Sequence, residues 1–224
     1  MREVVLDTET TGLNPEDGHR VVEIGCIELL NHIPTGNSRQ WYLNPERDMP
    51  ADAEAIHGLS STFLARQPLF SDIAELLLAF LSDAMLVIHN AAFDIKFLNS
   101  ELQRCRLPPL SLSRVIDTVT IARRRFPGAQ VSLDSLCRRF SIDNSRRTVH
   151  GALLDSQLLA EVYLELTGGR EPQLPIIPPK AAMVATTVVA PRSYRPARPH
   201  TASPEELEAH AALVALLTKP LWKQ

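Results

Sequence analysis

Apolar and β-branched residues gather early in the chain into three runs, 4–6, 21–30 and 40–43, separated by turn-rich stretches such as Asn14-Pro15-Glu16-Asp17-Gly18. Short apolar runs punctuated by Gly, Pro, Asn and Asp read as strands joined by tight connections, so this opening segment predicts an antiparallel meander. Further on, the period changes. Segments 73–81, 93–102, 133–140 and 152–166 carry apolar residues at helical spacing, and they alternate with the short apolar runs 85–88 and 115–116. Such alternation implies crossover connections and strands added in parallel. The expected fold class is therefore α/β, a mixed five-stranded sheet flanked by helices. Gly168-Gly169 supplies a stop for the last of these helices, which places the end of the domain, residues 1–170, there.

From 171 to 203 the pattern dissolves. Seven prolines interrupt a stretch of Ala, Thr, Val and Arg, a composition that predicts an extended, flexible linker. Helix signals return in 204–224: Ser203 as N-cap, Pro204 at the first helical position, Glu206 to complete a capping box, and Leu207, Ala211, Val214 and Leu217 along one stripe, with Pro220 as the stop. A single helix of this length is marginal in water, so its apolar stripe and the nearby Trp222 predict a segment that orders on a partner.

Composition narrows the functional classes. At 224 residues the chain accommodates one full-sized α/β domain plus added segments, so a further catalytic domain must be a separate chain. A net charge of -3 and a pI near 6.2 exclude a global basic field, so contact with nucleic acid must be local. Cys26, Cys105 and Cys137 form no CxxC pair, which fits a reducing compartment and argues against a zinc site. No stretch is apolar enough for a signal peptide or a membrane span, and the expected location is the cytoplasm.

The candidate chemistry lies in three short pieces. Asp7 and Glu9 are two apart on a strand, so both carboxylates project from the same face, and buried acid pairs need a cation. In His89-Asn90-Ala91-Ala92-Phe93-Asp94 an apolar strand passes into a helix with Asp94 in its first turn. In His150-Gly151-Ala152-Leu153-Leu154-Asp155 a histidine stands at a helix entrance and a carboxylate about one and a half turns later. Taken singly each has a plainer reading: a polar strand end, an acid favoured by the helix dipole, a surface histidine. Together, four carboxylates and one histidine match what two-metal phosphodiester hydrolysis requires, with His150 as general base because neutral imidazole accepts a proton at cellular pH.

Asp7-Thr-Glu9, His89-Asn-Ala-Ala-Phe-Asp94 and His150-x4-Asp155 resemble, in order and spacing, the three motifs of the DEDDh exonuclease superfamily. Val22-Glu23-Ile24-Gly25, Ile56-His57-Gly58, Leu133-Asp134-Ser135-Leu136-Cys137 and Leu166-Thr167-Gly168-Gly169 resemble the epsilon, or proofreading, subunit family of bacterial DNA polymerase III, and the likeness covers about residues 3 to 170. The resemblance implies a ribonuclease H-like fold, two divalent cations (Mg²⁺ or Mn²⁺), and 3′→5′ removal of nucleoside 5′-monophosphates from the single-stranded 3′ end of DNA. It implies that Asp7 bridges the ions, that Glu9 and Asp155 complete the tighter site, and that Asp94 supports the second ion through water. Thr10, Thr11, Gly12 and Leu13 would line the terminal nucleotide, with Leu13 as a wedge and His57, Asn90 and Phe93 shaping the pocket; Leu13 and Phe93 read equally as core residues. Arg123, Arg124, Arg125, Arg138, Arg139, Arg146 and Arg147 offer phosphate contacts or simply a solvated face, with Arg146 and Arg147 closest to His150 in sequence.

By the same resemblance the C-terminal segment binds the polymerase alpha subunit. A sliding-clamp motif falls near Gln173-Leu174-Pro175-Ile176-Ile177, a stretch that also reads as plain linker. Two other readings remain: a DEDDh ribonuclease trimming RNA 3′ ends with the same carboxylates, and a catalytically silent scaffold, against which the presence of all five residues argues.

Overall fold

The computed structural model describes residues 1–145, 147, 149–169 and 201–216, and the chain divides into two units, Met1–Pro175 and Ile176–Gln224. In the first, β1 (Arg2–Thr10), β2 (Val21–Leu30) and β3 (Ile33–Tyr42) form the antiparallel meander. β4 (Met85–Ile88) and β5 (Val115–Asp117) add to the other side of β1 in parallel, giving the order β3-β2-β1-β4-β5. The helices are α1 (Ala51–His57), α2 (Ser61–Leu64), α3 (Phe70–Leu81), α4 (Ala91–Arg104), α5 (Thr118–Arg125), α6 (Leu133–Phe140) and α7 (Ala152–Thr167). The mixed five-stranded sheet flanked by helices is the predicted architecture.

Strand alternation sorts the core into two faces. Val4 and Leu6 of β1, with Leu86 and Ile88 of β4, pack beneath α3 and α4 through Ile73, Leu77, Ile95 and Leu98. Val5, Ile27, Leu29 and Val87 face Leu159, Ala160 and Tyr163 of α7, and α7 in turn buries Leu158, Val162 and Leu166 against Ala122 of α5 and Leu136 of α6. Because side chains alternate along β1, Asp7 and Glu9 share the α7 face with Val5. The α7 helix stops as expected: Gly168 takes φ +128 and Gly169 φ +76, and the amide of Gly169 bonds the Leu164 carbonyl at 2.8 Å.

Four elements depart from the sequence reading. β3 begins at Ile33, well before the predicted start, through the polar run Pro34–Gln40; it is an edge strand exposed along most of its length, so neither face carries the apolar alternation that a sequence reader looks for. Short helices α1 and α2, and α5 with its arginine-rich end, bury only one or two residues each, too few for a helical stripe.

The approach of α7 to the sheet rests on one residue. Gly25 pairs with Asp7 across the ladder, and a Cβ placed on it would lie 2.2 Å from the Ala152 carbonyl carbon and 2.3 Å from the Leu153 amide nitrogen. Only glycine lets the first turn of α7 sit down on β2, where Ser156 Oγ donates to the Gly25 carbonyl at 3.0 Å. The obstacle is backbone, which cannot turn aside as a side chain does. Gly25→Ala should therefore cost about 3 kcal/mol, the upper range for overpacking, and a thermal melt that left the midpoint within a degree of wild type would contradict this close approach.

The second unit contains α8 (Pro204–Leu216). Its capping box forms: the Glu206 amide donates to Ser203 Oγ at 3.2 Å and the Ser203 amide to Glu206 Oε2 at 2.8 Å. The single apolar stripe does not fully hold, because Leu213 and Leu216, both exposed, fall on the opposite side from Leu207 at about 100° per residue. The predicted linker lies almost wholly outside the described residues, as do the clamp-motif segment at Gln173 and the positions Leu217, Pro220 and Trp222. Among the described residues no helix is long and apolar enough to cross a membrane.

Candidate active site

A cleft of about 450 Å³ opens where the ends of β1 and β4 meet the N-termini of α4 and α7, lined by Asp7, Thr8, Glu9, Leu13, His89, Asn90, Phe93, Asp94, Asp134, Arg147, His150 and Asp155 among others. All five residues singled out for catalysis meet there. Asp94 stands in the first turn of α4, whose N-cap is Asn90, and its Oδ1 accepts from Thr8 Oγ1 at 2.7 Å. Asp155 occupies the corresponding turn of α7, whose N-cap is Gly151. The loop before it is tied down by the His150 amide, which donates to the Ile56 carbonyl at 3.0 Å. One ligand atom from each of Glu9, His150 and Asp155 lies within 4.8 Å of the others.

So much acid in one place has an electrostatic consequence. Burial, then Asp94, Glu9 and Asp155, push the Asp7 carboxyl well above its ordinary range; part of its surface opens to the cleft, but the group lies at depth among the other acids. Burial first, and then Asp155, Glu23 and Asp94, raise Glu9 to about 8, and burial raises Asp94 to about 7 despite the Thr8 hydrogen bond. Arg147 opposes the rise at Asp7 and Glu9 without cancelling it. Carboxylates held this far above their usual pKa are short of positive charge. Hard oxygen donors with one adjacent imidazole are a donor set for divalent metal ions, and the residues present fit such ions.

Beside the cleft a second cavity of about 610 Å³ is walled by Thr10, Thr11, Gly12, Leu13, Ile56, His57 and Phe93 among others, which brings six of the seven substrate-site candidates together; Asn90 lines the catalytic cleft instead. Leu13 is 85% exposed and so is no core residue. Phe93 is half-buried, its ring 4.9 Å from that of Phe97, and lines both cavities. His57 is buried and kept neutral by desolvation. Its Nδ1 accepts from the Leu59 amide at 3.1 Å, and its Nε2 faces the Thr10 backbone without closing a hydrogen bond. Asn90 adopts the left-handed conformation (φ +69) at the helix N-cap, with its amide bonded to Asp117 Oδ1 at 3.1 Å.

Several supporting contacts were not foreseen along the chain. Arg20 grips Glu101 with two hydrogen bonds of 2.7 and 2.9 Å, and its carbonyl accepts from the Thr11 amide at 2.9 Å, which fixes the 10–13 turn. Asp134 at the start of α6 pairs with Arg147 at 2.8 Å. Of the expected phosphate arginines, Arg125 is engaged with the Glu165 and Leu166 carbonyls at the end of α7, Arg139 stacks over Phe126, Arg147 is bound within the cleft, and Arg146 lies outside the described residues.

The chain is similar to known proteins in sequence and in fold. The family model described as Exonuclease matches residues 4–163. Proteins named DNA polymerase III subunit epsilon are 58% identical over 174 residues in Rickettsia felis (76% of each chain) and 48% identical over 224 residues in Rickettsia conorii (98% of this chain, 97% of that one). The one in Escherichia coli K12 is 41% identical over 236 aligned positions (99% and 97%). Among solved structures, the nuclease domain of 3′hExo, a DEDDh family member bound to rAMP, superposes with a TM-score of 0.65 at 20% identity, covering 74% of this chain and 91% of that one, a likeness of fold. The chain belongs to the exonuclease family and, within it, to the DNA polymerase III epsilon-subunit family.

Proposed function

We propose that this protein is the 3′→5′ proofreading exonuclease of a bacterial replicative polymerase, cutting the 3′-terminal phosphodiester of single-stranded DNA and releasing nucleoside 5′-monophosphates. The observation that carries this reading is the convergence of Asp7, Glu9, Asp94, His150 and Asp155 in one cleft, with the first three carboxyls raised chiefly by burial and then by neighbouring acids. Asp7, Glu9, Asp94 and Asp155 would hold two divalent cations, Mg²⁺ or Mn²⁺. When bound, these supply the charge that makes water a nucleophile at neutral pH and stabilises the leaving 3′ oxygen.

The chain's own residues do the rest. His150, with its side chain 48% exposed at the mouth of the cleft, takes the proton of the attacking water. Thr10, Thr11, Gly12, Leu13, His57, Asn90 and Phe93 hold the terminal nucleotide: the exposed Leu13 and the ring of Phe93 offer apolar surface to the bases, and the buried His57 backs the Thr10 strand end from behind.

Residues 171–203 would serve as a linker and 204–224 as the segment that binds the polymerase alpha subunit. The capped α8, apolar on more than one side, supports that role, since a helix of that kind is suited to burial by a partner. Clamp contact through residues near Gln173 and a cytoplasmic location complete the proposal. Tethering raises the effective concentration of the 3′ end, which suits a surface with net charge -3.

The test is digestion of 3′-labelled mispaired DNA, paired DNA and a matching RNA strand, with Mg²⁺ and with chelator. Stepwise, metal-dependent loss fastest at the mispair is expected. Preference for RNA would replace this reading with a processing ribonuclease, and no cleavage with a scaffold.

A further inference from the structure

Arg147 has no part in the chemistry above, yet its guanidinium sits where the negative charge converges. Nε and Nη2 donate to the two oxygens of Asp155 at 2.5 and 2.7 Å, Nη1 donates to Asp134 Oδ1 at 2.8 Å, and Nη2 also meets His150 Nδ1 at 2.8 Å. The side chain is 9% exposed and that of Asp155 is 5% exposed. One cation thus spans a proposed metal ligand and the proposed base.

Two consequences follow from donor and acceptor chemistry. Arginine only donates and does not deprotonate, so with both Asp155 oxygens facing its fork, a divalent ion approaching Asp155 meets a fixed positive charge. For the same reason His150 Nδ1 must be the accepting nitrogen. A neutral ring then carries its proton on Nε2, and neither nitrogen is free to take another. Asp155 Oδ2 lies 3.3 Å from the same Nδ1, placed to accept a proton there if the ring changes tautomer, which would leave Nε2 as the acceptor. Asp134, whose side chain is 42% exposed, remains as a second anchor for an arginine that lets go of Asp155.

We propose that Arg147 is the internal counter-ion and latch of the resting site: it neutralises Asp155 and holds His150 in a tautomer unable to act as base, and metal loading displaces it toward Asp134, arming His150 in the same step. Arg147 is on this account a positioning residue. The inference rests on the metal-dependent reading above.

The experiment is Mn²⁺ titration of the full chain without DNA, read by electron paramagnetic resonance, in wild type, Arg147→Gln, Arg147→Lys and Asp7→Asn. Removing a competing cation should tighten Mn²⁺ binding on the order of tenfold in Arg147→Gln, with Arg147→Lys between it and wild type. An arginine that merely braced Asp155 would predict the reverse, so unchanged or weaker binding in Arg147→Gln overturns the latch. Absence of binding in wild type as well as Asp7→Asn overturns the metal reading itself. Should Arg147→Gln fail to fold, ¹⁵N spectra of His150 in wild type decide: a proton on Nε2 that leaves it on adding Mg²⁺ is expected, and a ring signature indifferent to Mg²⁺ overturns the proposal.

Discussion

Replacing Asp7 by asparagine should lower cleavage by roughly 10³-fold or more, since the loss of a charged group at the reacting centre costs at least as much as the loss of one preorganised donor, and should at the same time stabilise the metal-free protein. Asparagine keeps the volume and the β1 backbone, so the fold has no reason to change. What it removes is a carboxylate whose pKa burial and three neighbouring acids drive upward.

The sign of the pH dependence follows from that. A carboxyl whose folded pKa is raised binds its proton more tightly folded than unfolded, so its stabilisation is fully present below the ordinary carboxylate pKa and is lost as pH rises through the folded value. With Asp94 at about 7 and Glu9 at about 8, the chelator-treated wild type should melt progressively lower between pH 5 and 8, and Mg²⁺ should recover most at the upper end. Asp7→Asn should fall less steeply, each kcal/mol of relieved repulsion appearing as about 2–4 °C. Calorimetric melts at three pH values, with and without Mg²⁺, read this directly. Wild-type melting that is flat across the window, or an Asp7→Asn protein that still digests DNA, would remove the basis for the metal assignment.

His150→Ala should reduce kcat roughly 10²- to 10⁴-fold, the usual contribution of a positioned general base, while leaving KM for a single-stranded 3′ end near wild type. Because the side chain is half exposed, stability should stay within about 0.5 kcal/mol. The same residue shares with Glu9 and Asp155 a set of ligand atoms close enough to hold an ion, and this variant separates the two roles: a base is lost without loss of Mn²⁺ affinity, a ligand is lost with it. A fall in Mn²⁺ affinity parallel to the fall in kcat would therefore reassign His150.

The class of fold and the local placement of each acid were legible along the chain, because both depend on short-range periodicity, while the grouping of Asp7, Glu9, Asp94, His150 and Asp155 into one site rested on their combination and on the family resemblance. A two-residue spacing on a strand puts Asp7 and Glu9 on one face whatever lies around them, and apolar residues at helical spacing place Asp94 and Asp155 in the first turns of α4 and α7. The Ser203–Glu206 capping box is local in the same way. The pairings between residues far apart in the chain, and the exposure of residues whose type is ambiguous, emerged only on folding. The Arg20–Glu101 grip closes over 81 positions and Tyr163 donates to the buried Glu3 over 160. Leu13, an apolar residue that reads equally as a wedge or as core, stands in solvent because the turn held by Arg20 projects it there. The partners of Arg147 lie only 3 to 13 residues away, yet it read as a phosphate-binding arginine. An isolated charge carries no periodic signal, and its partner is chosen by the field of the folded acids around it.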